Sequence, residues 1–248
     1  MSQPYLSIII PAYNEAERIP QALLAMDKQL ANASYSYEIF VVNDGSTDNT
    51  AEIVKNMVKL VRNLKLIDLR VNAGKGGAVR QGMLLSAGQV RLFTDADNST
   101  SIDQFEKMMP FFKEGYEVVI GSRAVKGAKL EPAEPFYRQV IGKGLNLIVQ
   151  ALLLPGIWDT QCGFKAFTED AAKKVFTPSR IGGWGFDVEV LVLAKKMGYR
   201  IKEMPVRWVD DNRSHVKFSA GLQFLRDIAI IRWRLWRHEY DGSASNLN

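Results

Sequence analysis

The sequence predicts an α/β protein with a mostly parallel central sheet flanked by helices. Two observations carry that prediction. Short apolar runs alternate with amphipathic stretches through the first 120 residues, and such strand–helix alternation builds a parallel sheet covered on both faces. The runs also end in polar segments bearing glycine, asparagine or aspartate, at the sheet edge where ligands bind in these folds.

The elements follow in order. Residues 6–10 read as a buried strand, then a loop at 11–14 and a helix over about 15–30. Residues 38–42 form a second strand, closed by the turn Asn43-Asp44-Gly45-Ser46. Asp48 then caps a helix reaching about residue 60. Residues 64–69 are the third strand, and a helix follows Gly74, Gly76 and Gly77. Strands four and five occupy 90–94 and 116–120. Beyond residue 136 the pattern changes to helices over 136–154, 185–197 and 218–238, with strands over 163–168 and 199–208. No internal repeat or long linker interrupts the chain, and 241–248 reads as a flexible tail.

Composition narrows the chemistry. With 47% apolar and 24% charged residues, the chain is ordinary globular material. The single cysteine, Cys162, excludes an internal disulfide and a cysteine-based zinc cluster. Two histidines, His215 and His238, leave little for a histidine-rich metal site or a Ser-His-Asp triad. A bound metal therefore needs oxygen ligands, which favours Mg²⁺ or Mn²⁺. The polar N-terminus lacks an export signal, and no apolar run approaches the ~20 residues that span a bilayer. The net charge of +5 is modest, yet Arg226, Arg232, Arg234 and Arg237 crowd the last helix.

Asp95 and Asp97 form a D-x-D where the fourth strand runs out. Period-two alternation in an extended chain would point both carboxylates to one side, towards one metal or ligand group. Such a motif arises about once by chance in a chain this rich in aspartate, so its surroundings matter. The Pro11 loop, the Asp44 turn, the Gly74 loop and Gly121-Ser122-Arg123 all fall on the same predicted edge. Gly74-Lys75-Gly76-Gly77 fits a phosphate-cradling loop or, equally, a tight turn that needs glycine. It lacks P-loop order, and Pro11-Ala12-Tyr13-Asn14-Glu15 is no dinucleotide fingerprint. Asp44 fits a turn residue or an acceptor for a base N–H. Lys75, Arg123, Arg138 and Lys143 are the cations available to a diphosphate.

Seven segments in order carry a family resemblance: residues 7–15, 41–48, 70–78, 94–97, 121–123, 159–165 and 183–189. Over roughly residues 5–217 the chain resembles family 2 glycosyltransferases of the GT-A (Rossmann-like) fold. It is most similar to the branch that charges polyprenyl phosphates, the dolichyl-phosphate mannose synthases and glucosyltransferases. The resemblance implies that Pro11, Tyr13, Glu15, Val42 and Asp44 frame the nucleotide, and that Asp95, Ala96 and Asp97 meet the diphosphate. Asp97 is then the principal metal ligand, and Arg123, Arg138 and Lys143 hold phosphate. The mannose synthases place a metal-binding Gln where this chain has Ser99, and a Lys where it has His215, with Arg213 nearby in compensation.

The implied reaction moves a hexose, from UDP-glucose or GDP-mannose, to a polyprenyl phosphate with inversion. An anionic acceptor needs positioning and leaving-group stabilisation rather than a strong base. Asp187 and Glu189 form an acid/base pair if the acceptor is a hydroxyl, as on a saccharide; otherwise they cap or pair structurally. A non-catalytic nucleotide-binding module is the further rival. Nucleic acid is disfavoured, because the arginines share a helix with apolar and aromatic residues. That helix, with Phe218, Leu222, Leu225, Ile228, Ala229, Trp233 and Trp236 at helical spacing, suits a membrane headgroup layer; core packing or an oligomer contact is the alternative. The organisation expected is a catalytic domain over 1–217 and an amphipathic basic helix over 218–240. The protein would lie on the cytoplasmic face of a membrane, with or without a separate membrane protein as partner.

Overall fold

The computed structural model describes residues 3–131, 136–209 and 219–241, and the backbone alone for 136–141, 143, 219 and 220. The first half runs β1 (Leu6–Ala12), α1 (Ile19–Leu30), β2 (Tyr37–Asp44), α2 (Thr50–Met57), β3 (Leu64–Leu69), α3 (Gly74–Leu85) and β4 (Val90–Thr94). A 3-10 turn (Ile102–Lys107), α4 (Met109–Lys113), β5 (Val118–Ser122), β6 (Lys129–Glu131) and α5 (Phe136–Leu152) follow. The chain then forms β7 (Phe164–Thr168), α6 (Glu169–Phe176), α7 (Phe186–Lys196), β8 (Ile201–Pro205), β9 (Arg207–Val209) and α8 (Ser219–Trp236).

Seven strands form one sheet in the order β3-β2-β1-β4-β7-β5-β8. All pair in parallel except β7, which runs antiparallel to both its neighbours, β4 and β5. Both faces are covered, as the unbroken apolar strands demand. Ile9, Val42, Phe93 and Phe167 face the core shared with α3, α6, α7 and α8. Their alternates, Ile8, Ile10, Val41 and Leu92, face the layer of α1, α2 and the 3-10 turn. Pro11 sits in a central strand without cost. The β1–β4 ladder stops at Ile9–Phe93, and Pro11 lies beyond it.

Several boundaries differ from the sequence expectation. α1 starts at Ile19, because Arg18 and Ile19 donate to the Glu15 carbonyl in a turn and Pro20 then occupies the first helical turn. The strand expected over 199–208 divides: β8 joins the main sheet and β9 pairs in parallel with β6. Val206 is the junction, donating to Ser122 at 3.2 Å and accepting from Lys129 at 3.0 Å. α6 was not anticipated, although Thr168 caps it by accepting from the Ala171 N–H.

α8 carries two faces. Phe224, Asp227, Ile228 and Ile231 are buried, the apolar three in the core. Leu222, Leu225, Trp233 and Trp236 form an exposed stripe flanked by the exposed Arg226, Arg232 and Arg237. Ile228, expected on that stripe, faces inward. No helix among the described residues is long and apolar enough to cross a membrane.

Candidate active site

The parallel strands end at one edge, and β7 begins there, with Phe164 opposite Thr94. The D-x-D follows Thr94 in a turn: Asn98 N–H donates to the Asp95 carbonyl at 3.3 Å, and Asn98 takes φ 56°, which asparagine tolerates. The extended-chain reasoning for the two aspartates is thus corrected; the turn, not strand alternation, brings them together. Asp97 accepts from the Ser99 N–H at 2.9 Å. Burial, then the neighbouring Asp95 charge, raises the Asp97 pKa above the usual carboxylate range. Ala96 is buried between them. In the same segment the Ser99 hydroxyl and the Asn98 side-chain carbonyl are buried without a hydrogen-bond partner.

Asp95 meets Lys75 at 2.6 Å. Burial disfavours the ammonium, but Asp95, Asp187 and Asp97 outweigh it and hold the Lys75 pKa above the usual lysine range. On its other side Asp95 abuts Gly163, where a Cβ would lie 2.0 Å from a carboxylate oxygen. Asp187, 3% exposed, pairs with Lys165, 0% exposed, which also donates to the Cys162 carbonyl at 2.6 Å. Burial raises the Asp187 pKa against the pull of Lys165 and Lys75. Opposite charges therefore alternate from Asp95 through Lys75 and Asp187 to Lys165.

The glycine loop works differently from a phosphate cradle. Ala73 N–H donates to Asp44 at 2.7 Å, Gly74 N–H to the Asn72 side chain at 3.1 Å, and Gly76 N–H to the Gly182 carbonyl at 2.9 Å. Those amides are engaged within the protein, and the loop's contribution is the Lys75 side chain. Gly74, at φ 78°, also approaches Gly182 so closely that a Cβ would lie 2.3 Å from its carbonyl oxygen. Asp44, 2% exposed, ties the end of β2 to the start of α3; burial raises its pKa against the donated N–H groups.

Around this centre, Pro11 and Val42 are register partners and buried, whereas Tyr13 is 47% exposed. Glu15 pairs with Arg18 through two contacts at 2.6 and 2.7 Å. Burial raises its pKa against that pairing, and Asp97 and Asp95 are near enough to add to the rise. Asn14 accepts from the Thr47 N–H at 2.8 Å, lacing the first loop to the second. Arg123 binds Asp159 through its backbone N–H and its guanidinium, at 2.9, 2.8 and 3.1 Å. Burial opposes the Asp159 charge, yet Arg123 holds its pKa below the usual range.

Glu189 does not join the cluster. It is fully buried and accepts from Arg180 N–H, Ile181 N–H and the Tyr240 hydroxyl at 2.9, 2.8 and 2.7 Å. The side chains of Arg138 and Lys143, on α5, lie outside the described residues, as do Arg213 and His215. Lys165, Gly163 and Asp159 had no assigned role in the sequence. A lysine inside the apolar run Phe164-Lys165-Ala166-Phe167 was the available signal.

No three His, Cys, Asp or Glu side chains cluster as a metal cage among the described residues. Two carboxylates with an unpartnered hydroxyl and amide carbonyl nearby nonetheless make a hard oxygen donor set of the kind that suits Mg²⁺ or Mn²⁺.

Residues 7–176 match the family described as Glycosyl transferase family 2. Dolichyl-phosphate beta-glucosyltransferase of Dictyostelium discoideum is 38% identical over 243 residues, covering 93% of this chain and 74% of that protein. The Homo sapiens protein of the same name is 34% identical over 252 residues, covering 94% and 78%. Among solved structures, glucosyl-3-phosphoglycerate synthase of Mycobacterium tuberculosis with UDP aligns at TM-score 0.66 and 17% identity, covering 93% of this chain and 80% of that one. The same synthase with Mn²⁺, UDP and glucosyl-3-phosphoglycerate aligns at 0.65, with the same identity and coverage. At that identity the likeness is one of fold, the GT-A arrangement.

Proposed function

The chain belongs to glycosyl transferase family 2, and from that premise we propose that it transfers glucose from UDP-glucose to a polyprenyl phosphate, with inversion and with a divalent metal. The observation that carries the reading is the Asp95–Lys75 contact at 2.6 Å beside Asp97, a carboxylate pair and a cation together at the ligand-binding edge. The names of the relatives favour glucose over mannose and a dolichyl-type acceptor, and UDP in the structural neighbour favours the uridine nucleotide.

In this reading Pro11, Val42 and the exposed Tyr13 frame the base and ribose, with Asp44 and Glu15 fixing the loops behind them. Asp97 is the main metal ligand, and the unpartnered Ser99 hydroxyl assists. A bound Mg²⁺ or Mn²⁺ would draw charge from the departing diphosphate. Lys75 neutralises the same group from the other side. Arg123, held by Asp159, receives phosphate together with Arg138 and Lys143. An oxygen of the lipid phosphate attacks the anomeric carbon from the face opposite the diphosphate, whose bond breaks with the electron pair leaving on UDP.

A phosphate monoester is already anionic at neutral pH, so no strong base is required. That suits a site whose best-placed carboxylate, Asp187, is paired with Lys165; a saccharide hydroxyl acceptor would need that carboxylate free. The exposed Trp and Leu stripe of α8 and its arginines lie against anionic headgroups, holding the protein to the cytoplasmic face of the membrane that carries the acceptor.

The test is transfer itself. The protein is incubated with polyprenyl phosphate, Mg²⁺ and, in turn, labelled UDP-glucose and GDP-mannose. Label should enter the lipid phase from UDP-glucose, and chelation or D97A should abolish it. Label from GDP-mannose alone would reassign the sugar, and no transfer from either would overturn the proposal.

A further inference from the structure

Trp184 has no part in the site as assigned so far, yet its placement is unusual. It is 41% exposed, while the neighbouring Phe186 is 1% exposed. Its ring lies 5.7 Å beneath the Lys75 ammonium, the group that touches Asp95 at 2.6 Å. The indole thus stands beside the cation that the reading above assigns to the donor diphosphate.

The turn that carries it is fastened on every side. Gly182 accepts from Gly76 N–H at 2.9 Å, Gly185 N–H donates to the buried Asp227 of α8 at 3.0 Å, and Phe186 N–H closes onto the Gly183 carbonyl at 3.2 Å. Exposed tryptophans on loose loops are common surface features. One held rigid beside the charged centre of a site is a preorganised contact.

We propose that Trp184 is the stacking platform for the donor hexose and a specificity-determining residue; this rests on the nucleotide-sugar reading above. The chemistry recognised is a pyranose C–H face. Sugar C–H groups carry partial positive charge and an aromatic face is negative. In the α-linked glucosyl donor every ring hydroxyl is equatorial, so the face opposite the axial diphosphate offers unbroken C–H groups to a flat partner. The axial C4 hydroxyl of galactose projects on that same face and interrupts it. The platform therefore selects the gluco configuration without a hydrogen bond to any single hydroxyl.

Calorimetric titration of the Mg²⁺-loaded protein with UDP, UDP-glucose and UDP-galactose tests this in the wild type, W184F and W184A. In W184A the ratio of UDP-glucose to UDP affinity should fall about five- to tenfold, the size of one aromatic contact, with UDP binding unchanged. The preference for UDP-glucose over UDP-galactose should collapse in W184A and survive in W184F, whose ring is retained and whose small change guards against misfolding. Equal losses for UDP and UDP-glucose, or an intact preference in a folded W184A, would overturn the proposal. A wild-type protein that binds no uridine nucleotide would instead remove the premise, and the platform with it.

Discussion

At the scale of single residues, the site is a compromise between burying charge and presenting it. Asp97 illustrates the sign. Its pKa is raised in the folded protein, chiefly by burial, so the folded state binds the proton more tightly than the unfolded chain. The associated stability is fully present below the unfolded-state pKa and is lost as pH rises through the raised folded value. D97N should therefore melt at a higher temperature than the wild type at pH 7, the gap narrowing in acid below the usual carboxylate range, while losing metal-dependent transfer. Thermal melts across pH with parallel assays check this; a lower melting point at pH 7 contradicts it. Gly163 makes a second case. A methyl group there would lie 2.0 Å from an Asp95 oxygen, so G163A must displace that carboxylate. Transfer should fall by about a hundredfold while the protein stays folded by circular dichroism. Neither Gly163 nor Lys165 was legible as part of the site, since their partners come from other elements. Asp95 and Asp97 were legible because a strand's C-terminal end is itself a local signal.

At the scale of elements, the buried Lys165–Asp187 pair joins β7 to the first turn of α7 across 22 residues of sequence. Removing one partner strands the other charge in the core. K165M should cost about 3–5 kcal/mol, and K165M/D187L should recover most of that, because a buried pair replaced by apolar groups is close to neutral. Denaturant unfolding of the three proteins measures the cycle. Activity should stay low in the double variant, since Lys75 loses the Asp187 charge near it. Strands β1, β2, β4 and β5 were readable because runs buried on both faces leave an apolar pattern, and β3, the edge strand with Lys65 and Asp68 exposed, through Leu64, Leu66 and Ile67. The division into β8 and β9 was not read, although Pro205 ends β8 and was the available signal; the change of sheet itself depends on β6 and on Val206, which bonds to both sides. The helix start at Ile19 was missed because the turn formed by Glu15 and Arg18 resembles a helical turn in sequence.

At the scale of the whole molecule, the sheet order gathers the loops after β1, β2 and β4, the start of α3 and the entry to β7 at one edge. The strand–helix rhythm was enough to anticipate that edge. The antiparallel insertion of β7 between β4 and β5 was not anticipated, since a lone reversed strand carries no signature of its own. The membrane contact proposed for α8 is tested at the same scale. W233A/W236A should weaken binding to anionic vesicles by at least about tenfold and leave the melting temperature unchanged, since both rings are exposed. Added salt should weaken the wild type as well, through Arg226, Arg232 and Arg237. Sedimentation with phosphatidylglycerol-containing vesicles measures both effects, and binding indifferent to the tryptophans refutes the orientation.

α8 presents tryptophans outward while Phe224, Ile228 and Ile231 fill the core and Asp227 holds the Gly185 amide. The outward stripe cannot be removed by truncation, because shortening the chain before residue 219 would open the interior and release the turn that bears Trp184. Substitutions on the outer face, not deletions, are therefore the way to separate what that surface does from what the helix does for the interior.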